Sequence, residues 1–374
     1  MLVEQESGWL LSLLSFFKYA SISMQNSTFA RTMETLRDTR LALLALLAAS
    51  SFFAVAAAAG SSDPSSAILV RVDQSGKGDF RNIQAAIDAV PSKNTEPVFI
   101  LITPGTYREK VTVPADKPFI TLSGSNAMST VITWGEGWTS SESHTVSVLA
   151  SDFVGRYLTI QNTFGPNGPA IALHVAGDRA AFYSCRIIGF QDTLLDDTGR
   201  HYYSNCYIEG ATDFICGNGL ALFEKCHLHS TSPGGGAITA QRRSSAAEST
   251  GYSFLKCKIT GTGAGTAILG RPWGPYSRVV FAFTYMSDAV LPEGWNDWNE
   301  PRNQSRTAYY GEYSCYGRGS DVTGRVAWSH RLTPLEAEPF ATKSWIDGQD
   351  WLRPTPRYFR RSSALTTNSS DGGL

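Results

Sequence analysis

Phe182-Tyr-Ser-Cys185-Arg-Ile-Ile-Gly189 is a short β-prone run: an aromatic residue, two spacers, a cysteine, one spacer, an isoleucine, then a turn. The same order returns in Tyr203-Ser-Asn-Cys206-Tyr-Ile-Glu-Gly210, Phe223-Glu-Lys-Cys226-His-Leu-His-Ser230 and Phe254-Leu-Lys-Cys257-Lys-Ile-Thr-Gly261. The cysteines are 21, 20 and 31 residues apart. Phe283-Thr-Tyr-Met286-Ser287 reads as a weaker fifth copy, and Gly155-Arg-Tyr-Leu158-Thr-Ile-Gln-Asn162 as an upstream relative. One coil of this kind cannot bury its apolar face alone, so neighbouring coils stack and like residues form ladders. The repeat predicts an all-β parallel β-helix; a β-sandwich would require the spacing to coincide by chance in four rungs. Cys185, Cys206, Cys226 and Cys257 then read as small apolar ladder residues. Disulfides between rungs are the other reading, and the spacing leaves both open. None of the six cysteines forms the Cys-x-x-Cys pair typical of zinc sites.

The remaining composition narrows the class. A chain of 374 residues ordinarily suggests two domains, but a repetitive β fold holds this length in one. A formal net charge of −1 supplies no basic field for nucleic acid or anionic lipid, so neither is an expected partner. Leu41 to Ala58 is almost continuously apolar, follows Arg37 and Arg40, and ends in small residues up to Gly60. That is the pattern of a secretory signal, and its length is also near the minimum for an uncleaved anchor. Met33 is a candidate true start that would give a signal of normal size. The expected layout is residues 1–60 as a targeting segment, 61–360 as one β-helix catalytic domain and 361–374 as a flexible tail. Asn303-Gln-Ser and Asn368-Ser-Ser are glycosylation sequons of the kind a secreted chain carries. The one clear helical pattern, Ile83 to Val90 with Asn82 as its cap, is expected to cover an end of the solenoid.

The repeat also places two acids. Asp192 follows Cys185 by seven residues, and Asp213 follows Cys206 by seven. Stacked cysteines put both carboxylates at matching places on consecutive rungs, about 4.8 Å apart. Two carboxylates that close do not both ionise readily, which divides one residue type into a nucleophile and a protonated acid. Paired turn aspartates are the structural alternative. The neighbours favour chemistry: Arg271, in Leu269-Gly-Arg-Pro-Trp273, is suited to hold one aspartate ionised through a bidentate bond. Trp273 offers a flat face to a sugar ring. Gly105-Thr-Tyr-Arg-Glu109 reads as a structural turn.

These segments together resemble the plant pectin methylesterases (pectinesterases) over roughly residues 68–355. The motifs that carry the likeness are Gly105-Thr-Tyr-Arg-Glu109, Gln191-Asp-Thr-Leu194, Asp213-Phe-Ile-Cys-Gly217 and Leu269-Gly-Arg-Pro-Trp273, in family order. The resemblance implies a right-handed parallel β-helix that hydrolyses methyl esters of homogalacturonan, with no metal or organic cofactor. It implies Asp213 as nucleophile, Asp192 as general acid and base, Gln191 as oxyanion donor, Arg271 as the partner of the nucleophile and Trp273 as a substrate contact. Thr106 and Phe214, within the same motifs, are expected to add substrate contacts. Methyl-esterified pectin in the cell wall is the implied partner, a proteinaceous pectinesterase inhibitor a second, and a monomer the implied state.

Three departures from the family pattern qualify the expectation. Pro169, in Gly168-Pro169-Ala-Ile-Ala-Leu173, stands where the family usually has a second oxyanion glutamine, and proline has neither a side-chain amide nor a backbone N–H. The activity is then slow, relies on Gln161 or Asn167, or is lost, leaving a pectin-binding β-helix. Cys216 occupies a common aromatic place, implying a roomier subsite. Too few residues separate Gly60 from the first strand for an inhibitor-like pro-region. Of the rival β-helix chemistries, a pectate lyase would want calcium carboxylates with a basic catalyst, and a polygalacturonase a trio of acids; neither pattern is present.

Overall fold

The computed structural model describes residues 66–138, 142–298, 304–361 and Leu365. The predicted leader, Met33, both sequon asparagines and nearly all of the tail lie outside these residues. Each coil contributes one strand to each of three parallel sheets, as in Ala180–Tyr183, Arg186–Ile188 and Leu194–Asp196. The next coil repeats this with Arg200–Ser204, Tyr207–Gly210 and Ile215–Gly217. Stacking gives parallel sheets of twelve, eight and seven strands, paired between successive coils except where the C-terminal strand Tyr358–Arg360 returns to pair with the first, Ser66–Val72. The architecture is the right-handed parallel β-helix that the repeat and the resemblance predicted.

Inward positions form ladders because every coil presents the same residue at the same height. One ladder runs Ile132, Ile160, Ile187, Ile208, Leu228, Ile259 and Met286, each opposite the next across paired strands. A second stacks Tyr203, Phe223, Phe254 and Phe281 with ring centroids 4.4–4.6 Å apart. Such pairs add about 0.5–1.5 kcal/mol each beyond the area they bury.

The cysteine ladder is present, and all six cysteines are free thiols. The residue before each ladder position turns through the left-handed region: Ser184, Asn205, Lys225 and Lys256, at φ between 51° and 54°. Each thiol beyond the first bonds the carbonyl of the preceding aromatic rung, Cys206 to Phe182 at 3.5 Å, Cys226 to Tyr203 at 3.4 Å and Cys257 to Phe223 at 3.2 Å. The fifth copy needs correction. Phe254 pairs with Phe281, not Phe283, and Phe283 is the left-handed corner at φ 51°. Thr284 therefore takes the cysteine place, its hydroxyl donating to the Phe254 carbonyl. Cys315 continues the ladder with a bond to the Phe281 carbonyl.

The capping helix spans Ile83–Asp88, with the Asn82 side chain accepting from the Ala85 amide and Ile83, Ala86 and Ile87 turned into the core. Glu109 accepts hydrogen bonds from the Ile83 and Gln84 amides at this helix's start, and Tyr107 is buried with its hydroxyl on the Thr103 carbonyl. The Gly105–Glu109 motif thus anchors the helix to the solenoid.

Candidate active site

Asp192 and Asp213 occupy the turn between the eight- and seven-stranded sheets. Gln191 bridges Thr212 in parallel, and Leu194 pairs with Ile215, so the two aspartates fall opposite one another on consecutive rungs. Both have left-handed backbones, φ 58° and 47°. Aspartate tolerates this region better than most residues.

Arg271 follows the strand Ala267–Gly270, two coils beyond Asp213. Its Nε donates to Asp213 Oδ1 at 2.8 Å while Nη2 donates to Oδ2, a two-pronged ion pair. The Trp298 ring lies 3.7 Å from the guanidinium carbon and stacks on its face, leaving the edge to Asp213. Asp213 is only 6% exposed; burial raises its carboxyl above the usual range while the Arg271 bonds and charge lower it. Asp192 lacks such a clamp. Burial, reinforced by the Asp213 charge and opposed by Arg271, pushes its carboxyl up to about 7. One carboxylate is held in the ionised state and the other retains a proton near neutrality. Cys216, buried on the outward side of its strand between Leu195 and Ala240, has its thiol raised by burial and by both aspartate charges. A neutral thiol therefore lies next to the pair.

The remaining predicted residues are not all gathered here. Gln191 is the rung neighbour of Asp192, and among the described residues its side-chain amide has no protein partner. Trp273 is 40% exposed, with the Arg242 guanidinium 5.0 Å from its ring. Phe214 is fully buried in the main core, so its side chain is unavailable to a substrate. Phe214 lies between the left-handed Asp213 and the strand Ile215–Gly217, and both Phe214 and Ile215 enter the core behind the turn. Thr106 lies on the outer face of the eight-stranded sheet, three strand steps before the Asp192 coil, about 14 Å along the axis. The structure does not bring it to the pair. Trp298 was not identifiable from the sequence, because it sits in an irregular stretch beyond the repeat.

A pectinesterase family model matches residues 69–349. The chain is 56% identical over 310 residues to a relative from Arabidopsis thaliana named "Putative pectinesterase 11", covering 82% of this chain and 87% of that one. The chain belongs to the pectinesterase family. Its fold matches the pectin methylesterase from carrot with a TM-score of 0.73 at 35% identity, over 76% of this chain and 94% of that one. Another pectin methylesterase, 26% identical with a TM-score of 0.65 over 78% of this chain and 98% of its own, is solved in complex with a hexasaccharide. The chain is a carboxylic ester hydrolase of this family.

Within the pectinesterase frame, the Pro169 departure has a definite location. The Ala170 amide donates to the Gln191 carbonyl at 3.1 Å, which sets Pro169 beside Gln191 on the preceding coil. The Pro169 carbonyl accepts from the Trp138 amide at 2.9 Å, and the Trp138 indole lies where any Gly168 side chain would be. Neither suggested substitute donor is engaged at this place: Asn167 donates to the Phe164 carbonyl, and among the described residues the Gln161 side chain has no partner.

Proposed function

We propose that the chain removes methyl esters from homogalacturonan in the cell wall, with Asp213 as nucleophile. The observation that carries the proposal is the asymmetry of the pair: Asp213 is clamped by Arg271, while Asp192 opposite it is lifted to about 7. An Asp213 oxygen attacks the C6 ester carbonyl, and the oxyanion is met by the Gln191 amide. Asp192 gives its proton to the departing methoxide, releasing methanol and leaving an acyl-aspartate. Asp192 then takes a proton from water, which attacks the acyl carbon and frees Asp213 and the galacturonate carboxylate. Trp273 offers its exposed face to a sugar ring. The family's hexasaccharide complex and the predicted secretory leader support an extracellular polysaccharide substrate.

Pro169 favours a second reading, a chain that binds pectin and turns it over weakly, because the donor expected beside Gln191 is missing. Methanol assay on highly methylated pectin separates the two. Methanol without chain shortening, abolished in a folded Asp213→Asn variant, supports the esterase; pectin binding without methanol supports the second reading. Full activity in Asp213→Asn would overturn the assignment of the nucleophile.

A further inference from the structure

The outer face of the twelve-stranded sheet carries a recess remote from the aspartate pair. The C-terminal stretch from Trp351 to Pro356 borders it over the strands Ile120–Ser123, Val154–Arg156 and Ala180–Tyr183, leaving a recess that opens to solvent. Phe119, Val154, Tyr183, Trp351 and Pro354 make most of its lining apolar. Into this lining projects Arg156, its guanidinium carbon 4.3 Å from the centre of the Tyr183 ring. Among the described residues, the Arg156 guanidinium has no carboxylate partner and no hydrogen bond to protein. The one acid in the lining, Asp152, is already taken, with both oxygens bonded to Arg179 at 2.9 and 2.6 Å. A guanidinium that has lost much of its water without gaining a counter-charge is disfavoured until an anion supplies one. Stacking on Tyr183 occupies only its face, so the in-plane N–H fork stays free for a planar carboxylate.

We propose that this recess is a second binding site for a free uronate unit: a pyranose ring bearing an ionised carboxylate. The inference rests on the function proposed above, because this is the chemical form that methyl-ester hydrolysis leaves. The Arg156 fork takes the carboxylate, and the Tyr183 and Trp351 rings give the sugar apolar surface. An intact methyl ester carries no charge and leaves Arg156 uncompensated, so the site selects product over substrate. Placed on a different sheet from the aspartate pair, it holds the chain to de-esterified pectin while the pair remains open to methylated stretches.

Titration calorimetry of the full chain carrying Asp213→Asn, so that the ester stays intact, tests this with trigalacturonate, its methyl ester and acetate as probes. With Arg156 intact this chain should bind trigalacturonate, and adding Arg156→Gln should weaken that binding by about tenfold or more. Arg156→Lys, which keeps the charge but loses the fork, should fall between the two and supplies the test if Arg156→Gln does not fold. With Asp213 intact, initial methanol release from fully methylated pectin, which offers no free uronate, should be the same in wild type, Arg156→Gln and Arg156→Lys. Equal trigalacturonate affinity with Arg156 intact and with it replaced overturns the proposal. So does Arg156-dependent binding of the methyl ester or acetate as tight as that of trigalacturonate, which would reveal an unselective or simple anion site. Absence of methanol alongside Arg156-dependent uronate binding would sink the esterase reading and leave the recess standing.

Discussion

Asp192 binds its proton up to about pH 7 in the folded chain, whereas an unfolded aspartate releases it near the ordinary value of 3.8. Between those values the native state holds more protons than the unfolded one, so stability falls as pH rises through the window. Below it both states are protonated, and above it both are ionised. Three pK units at about 1.4 kcal/mol each give a total of about 4 kcal/mol. Asparagine has the same shape and no titration. Asp192→Asn should therefore be more stable than wild type by about 4 kcal/mol above the window, and the gain should shrink toward zero as pH falls to about 4. Urea unfolding followed by tryptophan fluorescence, run in parallel at the two ends of the window, measures the difference. The variant should also lose turnover, since it has no proton to give methoxide. A stability difference independent of pH would refute the reasoning, because it would mean that the Asp192 carboxyl pays no desolvation cost in the fold.

The wild-type rate should decline as pH rises through about 7, where Asp192 ionises and methoxide loses its acid; a kcat/KM profile flat through that range would contradict the assignment. Arg271→Gln removes the clamp that opposes burial at Asp213, so the acid limb of the same profile should move to higher pH and kcat should fall by about 10²-fold or more. Pro169→Gln places an amide beside Gln191, and methanol assays should show kcat rising by up to about 10²–10³ with little change in KM. Phe223→Ala opens a gap between two stacked rings in the core and should cost about 3–5 kcal/mol in denaturant titration, with the aspartate pair unaltered in kind.

What the sequence revealed and what it concealed have one physical origin. A β-helix writes its own register into the chain, because a residue that must stack on its counterpart recurs at the coil length. Cys185 and Cys206 could therefore be used as rulers, and the seven-residue offset from each brought Asp192 and Asp213 together. The ruler failed where coil identity weakens. Phe283 is an aromatic at nearly the right distance, but the fold uses Phe281 and puts Thr284 at the cysteine place, where a hydroxyl makes the same bond to the carbonyl of the preceding coil. Proximity in sequence also misled: Phe214 follows Asp213 directly, yet it enters the core together with Ile215. Trp298 lies outside any repeat, so no spacing could bring it over Arg271.

The site follows from the same corner geometry. Every coil must turn between sheets, and the solenoid does so repeatedly with non-glycine residues at positive φ, as at Ser184, Asn205, Lys225 and Lys256. Asp192 and Asp213 adopt that conformation at another corner, the one joining the eight- and seven-stranded sheets. No separate strained loop is needed to aim them, because a turn of this kind already directs its side chain away from the core. Stacking then brings two such corners within one strand spacing, and their shared burial raises both carboxyls. What distinguishes the two is Arg271, delivered two coils later by the same repeat. The coil period thus sets the distance between the acids, and the coil count decides which of them is clamped.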